Sequence, residues 1–135
     1  MKTTLDRCAC LVVLLAALAW LHPRCLAADK KELSAALAAV EANLKTEAGK
    51  QYDAQIGKDL NSHPVNLKPC KQPGTALPGS FDLLLRLKSD GKVDQALVYP
   101  ESQFAGCARD VFSASKFSPP PHGDYWVNIH MQFGK

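Results

Sequence analysis

The chain predicts an α+β domain: a small three-stranded antiparallel sheet, ordered strand, strand, helix, strand, with a leading helix in front. Three observations carry that prediction. Phe81, Leu83, Leu85 and Leu87 alternate ahead of Ser89-Asp90-Gly91, and a second apolar run from Val93 to Tyr99 follows, which is the pattern of a hairpin. Tyr125, Val127, Ile129, Met131 and Phe133 alternate with Trp126, Asn128, His130 and Gln132, as in a closing strand. Leu33, Leu37, Val40 and Leu44 recur at steps of four, three and four, the stripe of an amphipathic helix.

The first 27 residues have the layout of a secretory signal peptide. Lys2 and Arg7 make a positive start, an apolar run of 14 residues extends from Cys8 to Leu21, and Cys25-Leu26-Ala27 supplies the small residues of a cleavage site. A spanning helix needs about 20 apolar residues, so an uncleaved anchor is the competing reading. A cut after Ala19 is a further alternative and would keep Cys25.

Cleavage after Ala27 changes the arithmetic. The whole chain of 135 residues carries 16 basic and 13 acidic groups; losing Lys2, Arg7, Arg24 and Asp6 leaves 13 against 12. No basic footprint for nucleic acid survives. Of the five cysteines, Cys8, Cys10 and Cys25 go with the leader, leaving Cys70 and Cys107 as an even pair in an oxidising, periplasmic or secreted setting, where a structural disulfide is expected. Membrane contact is expected only if the leader stays uncleaved.

Residues 28–48 read as an alanine-rich amphipathic helix or linker, and 49–135 as the folded domain. A second helical stretch puts Tyr52, Ile56 and Leu60 on one face and stops near His63-Pro64, because proline disfavours helical geometry in the residue before it. The two stretches are either separate or one bent helix. Prolines 64, 69, 73 and 78 make the next segment an irregular crossing that holds Cys70. After the hairpin, Pro100 is expected to open a helix whose inner face is Phe104, Cys107, Ala108 and Val111.

Candidate chemistry is sparse. Cys70 and Cys107 lack the Cys-x-x-Cys spacing of a redox pair. His63, His122 and His130 lie too far from each other and from the cysteines for the paired ligands of structural zinc, so no metal or other cofactor is expected. Ser118, His122 and Asp124 form a triad only on paper, with no nucleophile-elbow glycines, and no enzyme activity or small-molecule substrate is expected. The face Trp126, Asn128, His130 and Gln132 is most open to a functional reading: a last strand beside the first is an edge that can accept a partner strand, with Trp126 as an anchor. The bland alternative packs Trp126 under the leading helix.

The ordered set resembles the C-terminal domain of the TonB and TolA family. The residues that carry the resemblance are Tyr52 with Gln55-Ile56, Leu83-Leu85-Leu87 with Ser89-Asp90-Gly91, Cys107 in the helix, and Phe117-Ser118-Pro119-Pro120-Pro121 ahead of Tyr125, within roughly Gln51 to Gln132. The resemblance implies a periplasmic protein-binding module of the cell envelope, linked to transport. It further implies an envelope or outer-membrane protein as partner, held by edge-strand addition. The long spacer of the family's energy transducers has no counterpart here. A small secreted, disulfide-stabilised inhibitor or enzyme of the envelope is the alternative.

Overall fold

The computed structural model describes residues 30–74 and 76–133, so the expected leader lies outside the described residues. Among the described residues, helix α1 (Lys30–Leu44) and helix α2 (Glu47–Ser62) come first, then a 3-10 turn (Lys68–Cys70). Strand β1 (Ser80–Leu87), strand β2 (Val93–Tyr99), helix α3 (Gln103–Ser113) and strand β3 (Tyr125–Gln132) follow. The sheet order is β2-β1-β3 with both pairings antiparallel, giving the α+β, strand-strand-helix-strand arrangement with its leading helices.

The two leading helices are separate. Thr46 has extended backbone geometry and its hydroxyl accepts the Gly49 N–H, which starts α2 afresh. The corner is tight: a Cβ on Gly49 would lie 1.8 Å from the Asn43 carbonyl oxygen. As its stripe requires, α2 buries Tyr52 and Ile56 and stops at Ser62, just ahead of His63-Pro64.

The hairpin closes on a three-residue loop in which Gly91 N–H bonds to Lys88 C=O and Lys88 N–H to Lys92 C=O. Of the Asp-Gly pair only Gly91 takes a positive φ, 80°, while the Asp90 carboxylate accepts the Lys92 N–H. Gly91 has a second reason to lack a side chain, since a Cβ there would lie 2.0 Å from the Phe117 carbonyl oxygen. That approach is the site of a one-pair bridge between Lys92 and Lys116 and of the bond from Phe117 N–H to Gly91 C=O.

Both faces of the sheet are covered, by different helices. Phe81, Leu83, Leu85 and Leu87 face α2 and α3 and pack with Val98, Tyr125, Val127 and Ile129. Leu84 and Leu97 point the other way, into a smaller core made with Ala36 and Val40 of α1. Cover on both faces explains the unbroken run Leu83-Leu84-Leu85, all three at 0% exposure. The alanine-rich helix is therefore packed against the sheet.

Two expectations about α3 are corrected. The helix starts at Gln103 and not at Pro100, because Ser102 supplies the cap by accepting the Ala105 N–H, and Pro100 follows a cis peptide bond outside the helix. Its buried residues include Phe104, Ala105, Ala108 and Phe112, leaving Cys107 and Val111 half-buried at the margin. Phe104 draws the helix round, because its ring stands edge-on to Phe133 with centroids 4.9 Å apart. Cys107 reaches from that margin to Cys70 in the 3-10 turn, with S–S 2.02 Å and Cα–Cα 5.6 Å. The disulfide joins the proline-rich crossing to α3.

Candidate functional site: the open half of the sheet and the edge of β3

The register sets side chains in rows across three strands on the face that α1 covers. Gln95, Arg86 and Trp126 form the row nearest the hairpin, Leu97, Leu84 and Asn128 the next, and Tyr99, Asp82 and His130 the third. Helix α1 lies on the first two rows. Its Glu32 accepts a hydrogen bond from the Gln95 amide at one end, and its Asn43 Nδ2 donates to the Trp126 carbonyl oxygen, 3.0 Å, at the other. The third row lies beyond these contacts: Tyr99 is 59% exposed and His130 is exposed.

Trp126 is half-buried against the α1 core, and the Arg86 guanidinium sits 5.9 Å from its ring centroid. The placement is the one in which the leading helix packs over this residue. Asn128, His130 and Gln132 project on the same face of β3, as alternation requires. Asp82 on the central strand gathers two of them: its Oδ1 accepts from Asn128 Nδ2 at 3.2 Å and lies 2.9 Å from His130 Nδ1. Asn128 Oδ1 is buried with no hydrogen-bond partner, so this polar group has acceptor capacity unused.

The direction of the backbone groups along β3 follows from one bond. Phe133 N–H bonds to Gly79 C=O, toward β1. In an antiparallel ladder a residue's N–H and C=O point the same way and successive residues alternate, so Trp126, Asn128, His130 and Gln132 turn both groups away from β1. The Asn43 contact with the Trp126 carbonyl agrees with that phase. The free edge is thus taken up at Trp126 by α1 and continues outward-facing from Asn128 to Gln132.

A second polar cluster joins α2 to the segment before β3; Tyr52, Gln55 and Ser118 are among the residues that carry the resemblance, but nothing in the sequence pairs them with Asp59. Asp59 accepts the Ser118 N–H at 2.7 Å, the Ser118 hydroxyl at 3.0 Å and the Gln55 amide at 2.8 Å. Tyr52 donates to Ser118 C=O at 2.6 Å. Desolvation pushes the Asp59 carboxyl upward, but the donors from Ser118 and Gln55, with His63 nearby, outweigh it and hold the group below the usual carboxylate range. The Tyr52 phenol is pushed far up, by burial first and then by the charge of Asp59. Beside this cluster is an open hollow of about 590 Å³ lined by Asp59, His63, Lys116 and Ser118 among others.

These contacts dispose of the paper triad. Ser118 Oγ is engaged by Asp59 and Gln55, and His122 Nδ1 lies 2.8 Å from Gly123 O, so neither addresses the other. His122 instead stands edge-on to the Tyr125 ring at 5.0 Å, and Asp124 adopts a φ of 53° in the turn into β3. Among the described residues no group of three His, Cys, Asp or Glu side chains is placed to hold a metal ion, and no helix is long and apolar enough to cross a membrane. Comparison with protein-family models, with curated proteins and with solved structures finds no match to this chain.

Proposed function

We propose that this chain is an exported, periplasmic protein-binding module similar to the C-terminal domain of the TonB and TolA family. In this reading it receives an extended segment of an envelope or outer-membrane protein along the free edge of β3. The observation that supports the reading is the outward backbone of Asn128, His130 and Gln132 beside an uncovered polar row. An added strand gains its affinity from main-chain hydrogen bonds and its selectivity from alternate side chains. Trp126 serves here as the seat of α1, and the selective contacts fall to His130, Gln132 and the Asp82 carboxylate between the strands.

The element order and the helix cysteine support the family likeness. Export is supported by the Lys2 to Ala27 layout and the intramolecular pair Cys70–Cys107, which suits an oxidising compartment. Mass spectrometry checks both: a mature mass beginning at Ala28 that gains two hydrogens on reduction is the expected result. Partner binding is tested by a photo-crosslinking residue at Gln132, followed by NMR titration with a peptide from the captured envelope protein. Amide shifts centred on residues 126–133 are expected, and shifts confined elsewhere refute edge binding.

The alternative, a small secreted inhibitor or enzyme, finds its support in the hollow at Asp59 and His63. The Asp59 oxygens already receive three donors from the fold, which suits a strut between α2 and Ser118 better than a group that exchanges protons with a ligand.

A further inference from the structure

The opposite edge of the sheet, along β2, has a different setting. Because Phe133 N–H bonds to Gly79 C=O, the odd residues of β1 turn toward β3 and the even ones toward β2; the Lys88 N–H bond to Lys92 C=O follows that phase. The bonded partners across the β1–β2 ladder are then Asp82 with Tyr99, Leu84 with Leu97, and Arg86 with Gln95. Ala96 and Val98, between them, turn N–H and C=O outward. Their side chains meanwhile pack into the core under α3, so the strand is anchored while its outer backbone faces a hollow of about 340 Å³.

The hollow has walls of definite charge. Glu32 of α1 stands on one side, and Glu101, Arg109 and Asp110 of the α3 segment stand on the other. Arg109 is turned back on its own wall, with Nη1 3.4 Å from Glu101 and Nε 3.1 Å from Asp110. The lining thus holds three carboxylates and one guanidinium, with Glu32 on the far wall taken by the Gln95 amide, so carboxylates outnumber cations around the hollow. Glu101 lies close over Gly106, where a Cβ would stand 3.1 Å from its Oε1. The open stretch has defined ends. Toward the hairpin it is closed by the Lys92–Lys116 bridge, and at the other end lies Tyr99, the most exposed large apolar side chain among the described residues at 59%.

We infer that this β2 edge is a second strand-accepting surface, and that its occupant is an extended segment with basic side chains. Backbone groups of Ala96 and Val98 pair with the incoming strand, while its Lys or Arg side chains reach Glu32 on one wall and Glu101 and Asp110 on the other. Tyr99 packs against the end of the segment as an aromatic anchor. Since β1 separates the two edges, this occupant and a segment on β3 can be bound together, so the domain can bridge two extended chains. The inference does not rest on the β3 reading.

The experiment uses the oxidised full chain and a capped hexapeptide Lys-Lys-Val-Lys-Lys-Val, whose Lys side chains fall on both faces of an added strand, with the counterpart carrying Glu for Lys as control. The expected result is slowed amide exchange and shifted signals at Ala96 and Val98, with the acidic peptide bound at least about tenfold more weakly because like charges meet at the walls. Glu101→Gln with Asp110→Asn, both solvent-facing and checked for fold by circular dichroism, weakens the basic peptide by about tenfold and flattens its salt dependence. No shift at millimolar peptide, shifts centred on Asn128 and His130, or equal affinity for the two peptides each overturns the inference. An unchanged affinity in the double variant overturns the charge assignment with it.

Discussion

Reducing the Cys70–Cys107 bond opens a covalent loop across a sequence separation of 37 residues. In the chain-entropy model, freeing a loop of that size returns unfolded-state entropy worth about 4 kcal/mol at 25 °C. The folded state has other ties on the same segment. Val65 and Leu67 pack on the core, and the Cys70 and Lys71 amides bond to Leu67 and Lys68, so the native contacts persist without the bond and the loss falls on the unfolded side. Against a domain stability of about 5–15 kcal/mol, a change of that size separates a comfortably folded protein from a marginal one. Guanidinium unfolding with and without reductant, read by circular dichroism, should show the midpoint fall and the slope rise as the unfolded ensemble expands. The melting temperature should drop by about 15–25 °C. Cys70→Ala with Cys107→Ala should reproduce most of the loss without reductant. A loss below about 1 kcal/mol in both forms would show that the crossing is already constrained in the unfolded chain, and the entropic reasoning would fail.

Three further outcomes are expected. Gly91→Ala forces a Cβ into the Phe117 carbonyl at a positive φ and should cost about 2–3 kcal/mol in thermal unfolding, from strain plus the lost bridge bond. Asp59→Asn should cost about 1.5–3 kcal/mol at pH 7 by weakening charge-assisted hydrogen bonds. Because the folded carboxyl is held below its unfolded value of 3.8, that contribution is complete above the unfolded value and disappears as pH falls through the folded one. Wild type and variant should therefore converge in acid, and an equal gap at pH 7 and in acid would count against the strut. Asn43→Ala frees the Trp126 carbonyl; stability should fall by about 1 kcal/mol while amide exchange quickens along the first residues of β3, and unchanged exchange would detach α1 from the edge.

What was legible in the sequence divides by the range of the signal. Period-two alternation in β1 and β3 reported faces directly, and the Asp-Gly hairpin is local chemistry, so both elements sit where the pattern put them. Cys70 and Cys107 are legible as a pair only if residues 1–27 are read as a leader, since parity then leaves one partner for each. Leu84 was less legible: an alternating strand assigns it to solvent, and only α1, some forty residues earlier, buries it. The apolar stripe of α3 is ambiguous in sequence, because Val111 and Phe112 are both apolar and only the packed helix shows that Phe112 is the buried one. Trp126 had two readings, and the choice depended on where a distant helix docks. The Asp59–Ser118 bond joins ordinary polar residues 59 positions apart, a pairing that no window of sequence contains.

The docking of α1 on β3 joins the first and last elements among the described residues. During synthesis α1 emerges before any of its sheet partners exist, and Trp126, its seat, emerges almost last. Helix α1 by itself, at 15 residues with only Ala36 and Val40 buried, is marginal in water and is held by Leu84 and Leu97 of the hairpin as well as by β3. Closure of the smaller core is therefore a long-range event that joins α1 to the hairpin and, through Asn43, to β3. A chain halted before Trp126 would lack both the strand that pairs with β1 along its whole length and the carbonyl that Asn43 holds, so the order of the N-terminal helix reports the completeness of the last strand.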